Sequence, residues 1–140
     1  MVLWFHPTCA AYKRPESLVD AVATSTDVAV PDRERLERIA RRQLEHRRLP
    51  RIDGAERAPT AQARCRHCRE PIARGAWRIR LAFFENARFE KGGFVHVACS
   101  EAYFETRDVV EAVLHFSPVL ADDERAELAR VLTALPTAAA

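Results

Sequence analysis

At 140 residues the chain has room for one domain of ordinary size or two small ones, and 48% hydrophobic content with mixed charge fits a soluble globular protein. No apolar run is long enough to span a membrane, and Met1 to Ala10 has no positively charged stretch ahead of an apolar one, so it does not read as a secretory signal. Cysteines then stay reduced and open to metal. The net charge of +2 hides an uneven distribution: 11 basic and 9 acidic residues up to Ala63, 8 and 3 from Arg64 to Lys91, 3 and 8 from Gly92 onward.

In chain order, Trp4-Phe5-His6-Pro7-Thr8-Cys9 comes first, an H-x2-C half-site. It recurs at an offset of 90 in Gly93-Phe94-Val95-His96-Val97-Ala98-Cys99. The match continues with Leu18 to Val22 over Val109 to Val113 at an offset of 91, and with Leu36 and Ile39 over Leu128 and Val131 at 92. Residues 1–48 therefore read as the helical second half of a module whose complete copy follows. Leu36, Ile39, Ala40 and Leu44, after Asp32, give the helix of that half. Two ligands, His6 and Cys9, do not close a zinc site. A shortened amino terminus that omits the copy's first half is the preferred reading, and a remnant surviving as helices is the other.

Leu49 to Gln62, with Pro50, Gly54 and Pro59, reads as a linker (49–62), and the complete module occupies 63–136. Cys65-x2-Cys68 and His96-x2-Cys99 stand 27 residues apart. Each short turn points two ligands at one ion, and together they fill the four corners that structural zinc prefers, with the second turn at a helix start. A redox dithiol at Cys65 and Cys68 is disfavoured because Arg69-Glu70-Pro71 does not start a helix. A chance cluster of core residues, or His67 as a substitute ligand, fits the spacing less well. Between the half-sites, Trp77 to Phe83 alternates apolar and basic residues as a half-buried strand whose outer face carries Arg78 and Arg80. A turn at Lys91-Gly92-Gly93 leads into Phe94 and Val95. Leu128, Val131, Leu132 and Leu135 form a last amphipathic helix capped by Asp122 or Asp123. The fold class is thus α+β, a small Cys3His finger with a short antiparallel sheet and flanking helices.

The arginine cluster between the half-sites, Arg64, Arg66, Arg69, Arg74, Arg78, Arg80 and Arg88 with Lys91, is an electrostatic footprint for phosphate. The competing reading is a solvated face that offsets the net −1 charge of zinc bound to three thiolates.

From Arg64 to Leu135 the chain resembles the zinc finger of poly(ADP-ribose) polymerases (PARP-type), also found in a DNA ligase and in some bacterial proteins. The resemblance rests on Cys65-x2-Cys68, Ile72, Gly75, Trp77-Arg78-Ile79, Phe94 before His96-x2-Cys99, and Phe116-Ser117-Pro118-Val119-Leu120 with Asp123 and Leu128. It implies one structural zinc and recognition of DNA strand breaks, with Arg78 on phosphate and Phe84 or Phe89 stacked on an exposed base. Arg64, Arg74, Arg80, Arg88 and Lys91 are the further DNA-binding candidates. The chain departs from the family in lacking the first half of the amino-terminal copy.

Two functional classes follow: a DNA-binding module for broken or distorted duplex, and a zinc-stabilised protein-interaction module with a basic face. An enzyme is not expected, since no His-x-Glu flanks the motif and no coordination position is open, and neither a membrane nor a small-molecule substrate is expected as partner. An intracellular location, nucleoid-associated in a bacterium or nuclear in a eukaryote, goes with this reading.

Overall fold

The computed structural model describes residues 7–16, 18–19, 33–86 and 88–134. The chain divides into two compact units, Met1–Pro50 and Arg51–Ala140. Trp4, Phe5, His6, Val22, Asp32 and Leu135, named above, lie outside the described residues. No helix among those described is long and apolar enough to cross a membrane.

The first unit packs α1 (Pro7–Lys13) against α2 (Arg33–Glu45). Its core is Ala11, Tyr12 and Leu18 with Leu36, Ile39 and Ala40. Gln43, not the expected Leu44, completes the buried stripe, while Leu44 is 50% exposed. Seven residues from Leu36 bring the helix almost back to the same angle, whereas eight carry it roughly 80° further round, so Leu44 leaves the face.

The second unit is a three-stranded antiparallel sheet in the order β1 (Ile52–Arg57), β2 (Trp77–Glu85), β3 (Arg88–His96), with helices α3 (Ser100–Phe104), α4 (Val110–His115) and α5 (Asp122–Thr133). The segment expected as a linker, 49–62, therefore supplies the edge strand β1. Ile52 and Ala55 are buried, and β1 pairs with β2 from Ile52↔Leu81 to Arg57↔Trp77. Gly54 does not break the strand, because the register shifts between Ile52 and Ala55 and the glycine sits in that bulge at φ 96°. Ser117 ties this strand to α4: its Oγ accepts from Ala55 N at 2.8 Å and donates to Val113 O at 2.6 Å, fully buried.

β2 and β3 run on to Glu85↔Arg88, closing at Asn86, whose φ of 52° is one that Asn tolerates. The turn expected at Lys91-Gly92-Gly93 is instead a bulge inside β3, where Leu81 pairs with Gly93 and Ala82 with Lys91. Gly92 is needed there because a Cβ would lie 2.1 Å from the Phe83 ring. Arg78 and Arg80 are not on an open face. Arg78 is buried and Arg80 half-buried, since that side of β2 is covered as well. Helix α5 starts one or two residues earlier than a cap at Asp122 or Asp123 implies: both lie in its first turn, favourable to the helix dipole, and Ala121 N donates to Glu124 Oε1 at 3.2 Å. Leu128 and Leu132 carry its buried face.

Gly54 gives a direct test of the β1 bulge. A Cβ there would meet Phe116 O at 2.2 Å, on a φ that L-residues avoid. Gly54→Ala is expected to cost more than about 1 kcal/mol, read as a lowered midpoint in denaturant with an unchanged m-value.

Candidate metal centre

Cys65 and Cys68 sit on the loop between β1 and β2. Arg64 bridges to Pro71 and Cys65 to Phe94, so the loop leans on the end of β3. Arg69 N donates to Cys65 O, and Cys65 N to Glu70 O, both at 2.9 Å, folding the loop into a knuckle with Arg69 at φ 69°. His96 ends β3, and Cys99 ends the short 3-10 turn Val97–Cys99 that leads into α3.

The four side chains converge. Their ligand atoms all lie within 4.8 Å of one another. His96 Nδ1 is 3.3 Å from Cys68 Sγ and 3.9 Å from Cys99 Sγ. A zinc tetrahedron with ordinary Zn–S and Zn–N bonds has edges of roughly 3.6 to 3.8 Å, so the cluster fits one ion with little adjustment. Among the described residues no other group of three or more His, Cys, Asp and Glu does this. His67 is outside the set; only its backbone takes part, donating to Cys65 Sγ at 3.3 Å.

The imidazole is already oriented for a metal. His96 Nε2 lies 3.1 Å from Pro71 O, and a carbonyl only accepts, so Nε2 carries the proton and Nδ1 turns its lone pair toward the three sulfurs. The thiols are arranged for a cation too. Burial opposes ionisation of Cys65, but backbone N–H groups of Cys68, His96 and His67 aimed at its sulfur draw its pKa down to about 6. Burial, and then the negative charge of Cys65, push Cys99 up to about 12. Three thiolates this close need a cation among them, and a bound Zn2+ would supply it. Cys65, Cys68, His96 and Cys99 are positioned to hold one metal ion, consistent with a single zinc. Such a site is held closed by its four protein ligands.

Cys9, from the amino-terminal half-site, is half-buried on α1, and burial raises its thiol pKa. It belongs to no metal cluster among the described residues.

The DNA-contact candidates separate into two kinds. Arg78 lies 3.6 Å from the Phe94 ring centroid and reaches Glu56 at 3.3 Å. Arg80 donates to Asp53 O at 3.1 Å and Phe116 O at 3.3 Å, joining the β1 bulge to the end of α4. Arg64, Arg74, Arg88 and Lys91 are exposed, with Arg64 donating to Arg69 O at 3.2 Å and Arg88 2.6 Å from Glu90. Phe84 and Phe89 are direct cross-strand partners near the Asn86 turn with ring centroids 4.9 Å apart, and Phe89 is 37% exposed. Strand alternation places Lys91 on their face of the hairpin and Arg88 with Glu90 on the other.

One contributor to the centre carries no mark in the sequence, the Pro71 carbonyl that orients His96, while Arg66, read above only as part of the phosphate footprint, donates to Gly92 O at 3.0 Å and lies over the Phe83 ring at 5.1 Å. A carbonyl belongs to every residue, so only the fold reveals it. No family model matches the chain, and no curated protein shows significant similarity to it.

Metal content and stability test the centre. The purified chain should contain one equivalent of zinc, and because structural zinc contributes about 10 to 16 kcal/mol in finger peptides, against a net domain stability of about 5 to 15 kcal/mol, a strong chelator should abolish the second unit's cooperative melting. Cys68→Ala and Cys99→Ala should lose the metal, while Cys9→Ala keeps it. The folded pKa of Cys65 lies below the ordinary thiol value, so its stabilisation is complete above that value and is lost as pH falls through about 6. Metal content after dialysis along a pH series should fall in that direction and not as pH rises. For Arg78, removal of a buried guanidinium stacked on Phe94 should lower stability by about 1 to 3 kcal/mol in Arg78→Ala, measured by denaturant unfolding of the zinc-loaded protein.

Proposed function

We propose that the chain is a zinc-dependent DNA-binding module of the PARP-type finger kind, recognising strand breaks or distorted duplex, and that it is not an enzyme. The observation that carries this reading is the hairpin at Asn86. β3 runs from its tip directly into His96, and the tip presents the Phe84–Phe89 pair with Lys91 on the same face. The centre holds the base of the hairpin, and the tip offers an aromatic surface beside a cation. Aromatic rings stack on unstacked bases with little regard to sequence, and bases become reachable where a duplex is interrupted. Exposed guanidinium and ammonium groups bind the phosphates that flank such a break.

In this reading phosphate contact belongs to Arg64, Arg74, Arg88 and Lys91, and Arg78 and Arg80 support the sheet that carries the hairpin. A zinc with four protein ligands leaves no coordination position for a reacting water, which supports a binding role. The reading also places the chain in a compartment where thiols stay reduced.

A basic-faced protein-interaction module is the second reading, favoured by one observation. Arg88 is engaged by Glu90 at 2.6 Å, and Glu85 is exposed beside them, so the tip has mixed charge. Binding of the full chain to matched nicked and continuous duplexes separates the two. Phe89→Ala should lose about 1 to 3 kcal/mol of affinity for the nicked duplex and spare the continuous one. Lys91→Ala and Arg74→Ala should weaken both and each make the salt slope shallower by about one unit. Equal affinity of the wild type for the two duplexes removes break recognition, and binding that ignores both salt and DNA competitor turns the assignment to a protein partner.

A further inference from the structure

The near balance of charge before Ala63 hides a second basic stretch, in the other unit. From Arg33 to Arg48 there are seven arginines and three glutamates. At about 100° per residue, Arg35, Arg38, Arg41 and Arg42 fall within an arc of roughly 120° on α2, opposite the buried Leu36, Ile39, Ala40 and Gln43. Glu34 and Glu45 share this arc, one in the first turn of the helix and the other at its last residue. Exposed Arg47 and Arg48 follow directly after the helix.

Folding does not account for this pattern. Arg35 lies in the first turn of α2, at the end where the helix dipole disfavours cations. Arg35 with Arg38, Arg38 with Arg41 and Arg38 with Arg42 are like-charge neighbours at three and four residues, a spacing that destabilises a helix. Carboxylates relieve only part of the repulsion. Arg33 pairs with Glu37 at 3.3 Å and Arg42 with Glu45 at 3.5 Å, while Arg35, Arg38 and Arg41 have no ion-pair partner among the described residues.

We infer that the arginine face of α2 is a second nucleic-acid surface, which docks on the phosphate backbone of continuous duplex DNA irrespective of sequence or breaks. Arg35 to Arg42 spans about 10 Å of helix, a length over which duplex DNA presents roughly six phosphate charges. The guanidinium fork matches phosphate oxygens in pairs. A lipid surface fits less well, because a helix lying on a membrane inserts its apolar face, and that of α2 is buried within its own unit. An acidic polypeptide would need carboxylates at matching spacing, whereas a phosphate backbone offers charge continuously. The surface belongs to the first unit, shares no residue with the metal centre and does not depend on break recognition by the hairpin.

The test uses the full, zinc-loaded chain on covalently closed circular duplex, which has no end or nick, so failure of break recognition does not enter the readout. Three contacts with phosphate make affinity fall about 40-fold more between 50 and 200 mM salt than it otherwise would. The triple variant Arg35→Gln, Arg38→Gln, Arg41→Gln should lose that part of the salt dependence, and Arg38→Gln alone about 3.5-fold of it. Glutamine is nearly as good a helix former as arginine, so helicity and zinc content should not change. The matching triple Lys variant should keep most of the effect. Equal affinity and equal salt dependence of the wild type and the Gln variants overturn the proposal. So does a Gln triple that loses binding to anionic phospholipid vesicles or to polyglutamate while its DNA affinity stands.

Discussion

Three sulfurs and one imidazole nitrogen within 4.8 Å are the constraint on which the second unit depends. Without a cation the arrangement opposes itself: ionising Cys65 raises the cost of ionising Cys99, and both sulfurs are partly withdrawn from water. The backbone is nevertheless shaped for the ionised state. Amide groups of His67 and His96 point at Cys65 Sγ, and the Pro71 carbonyl fixes the imidazole with its lone pair inward. These contacts come from both chain segments of the site, so one ion would join the β1–β2 loop to the end of β3. The knuckle from Arg66 to Pro71 is exposed throughout. Little apolar burial is available to hold it, and ligation of a metal would be the larger force.

Arginine has a structural as well as an electrostatic part in this unit. Arg78 stacks on Phe94 two residues before His96, Arg80 bonds the carbonyls of Asp53 and Phe116, and Arg66 covers Phe83 while donating to Gly92 O. A guanidinium is planar and weakly hydrated for a cation, and it donates in several directions, so it can cover a ring and satisfy carbonyls at a bulge together. A lysine in those positions would keep the charge and lose the stacking. Eight basic residues between Arg64 and Lys91 therefore overstate the charge available to a partner, because several of them close the sheet.

The metal centre was legible because its information is local: two short motifs, each fixed by its own turn, and a separation that admits a strand pair. The α+β class and the helix over Leu128 were legible from periodicity for the same reason. What was not legible depends on contacts distant in sequence. Ile52–Arg57 has a glycine and follows a proline, which reads as loop, yet it pairs with β2 because Gly54 occupies a bulge under Phe116 O and Ala55 N finds Ser117 Oγ. The outward placement of Arg78 and Arg80 failed for a related reason. Alternation along one strand tells which residues share a face, and nothing in it tells whether that face is covered.

The internal repeat links the two units more closely than their different architectures suggest. At the offset of 92, Leu36 lies over Leu128 and Ala40 over Leu132, and all four are buried. In each unit an H-x2-C cysteine stands at or near the start of a helical segment, Cys9 in α1 and Cys99 just before α3. The difference lies in what surrounds the cysteine. Cys99 faces three further ligands supplied through a sheet, whereas Cys9 is half-buried on a helix and its thiol is held in the neutral form by burial. Lys13 offsets only part of that burial penalty, and a thiol in apolar surroundings is better kept protonated than ionised. The same cysteine position is thus tuned toward packing in one unit and toward metal in the other, and the local environment makes the distinction where the motif alone does not.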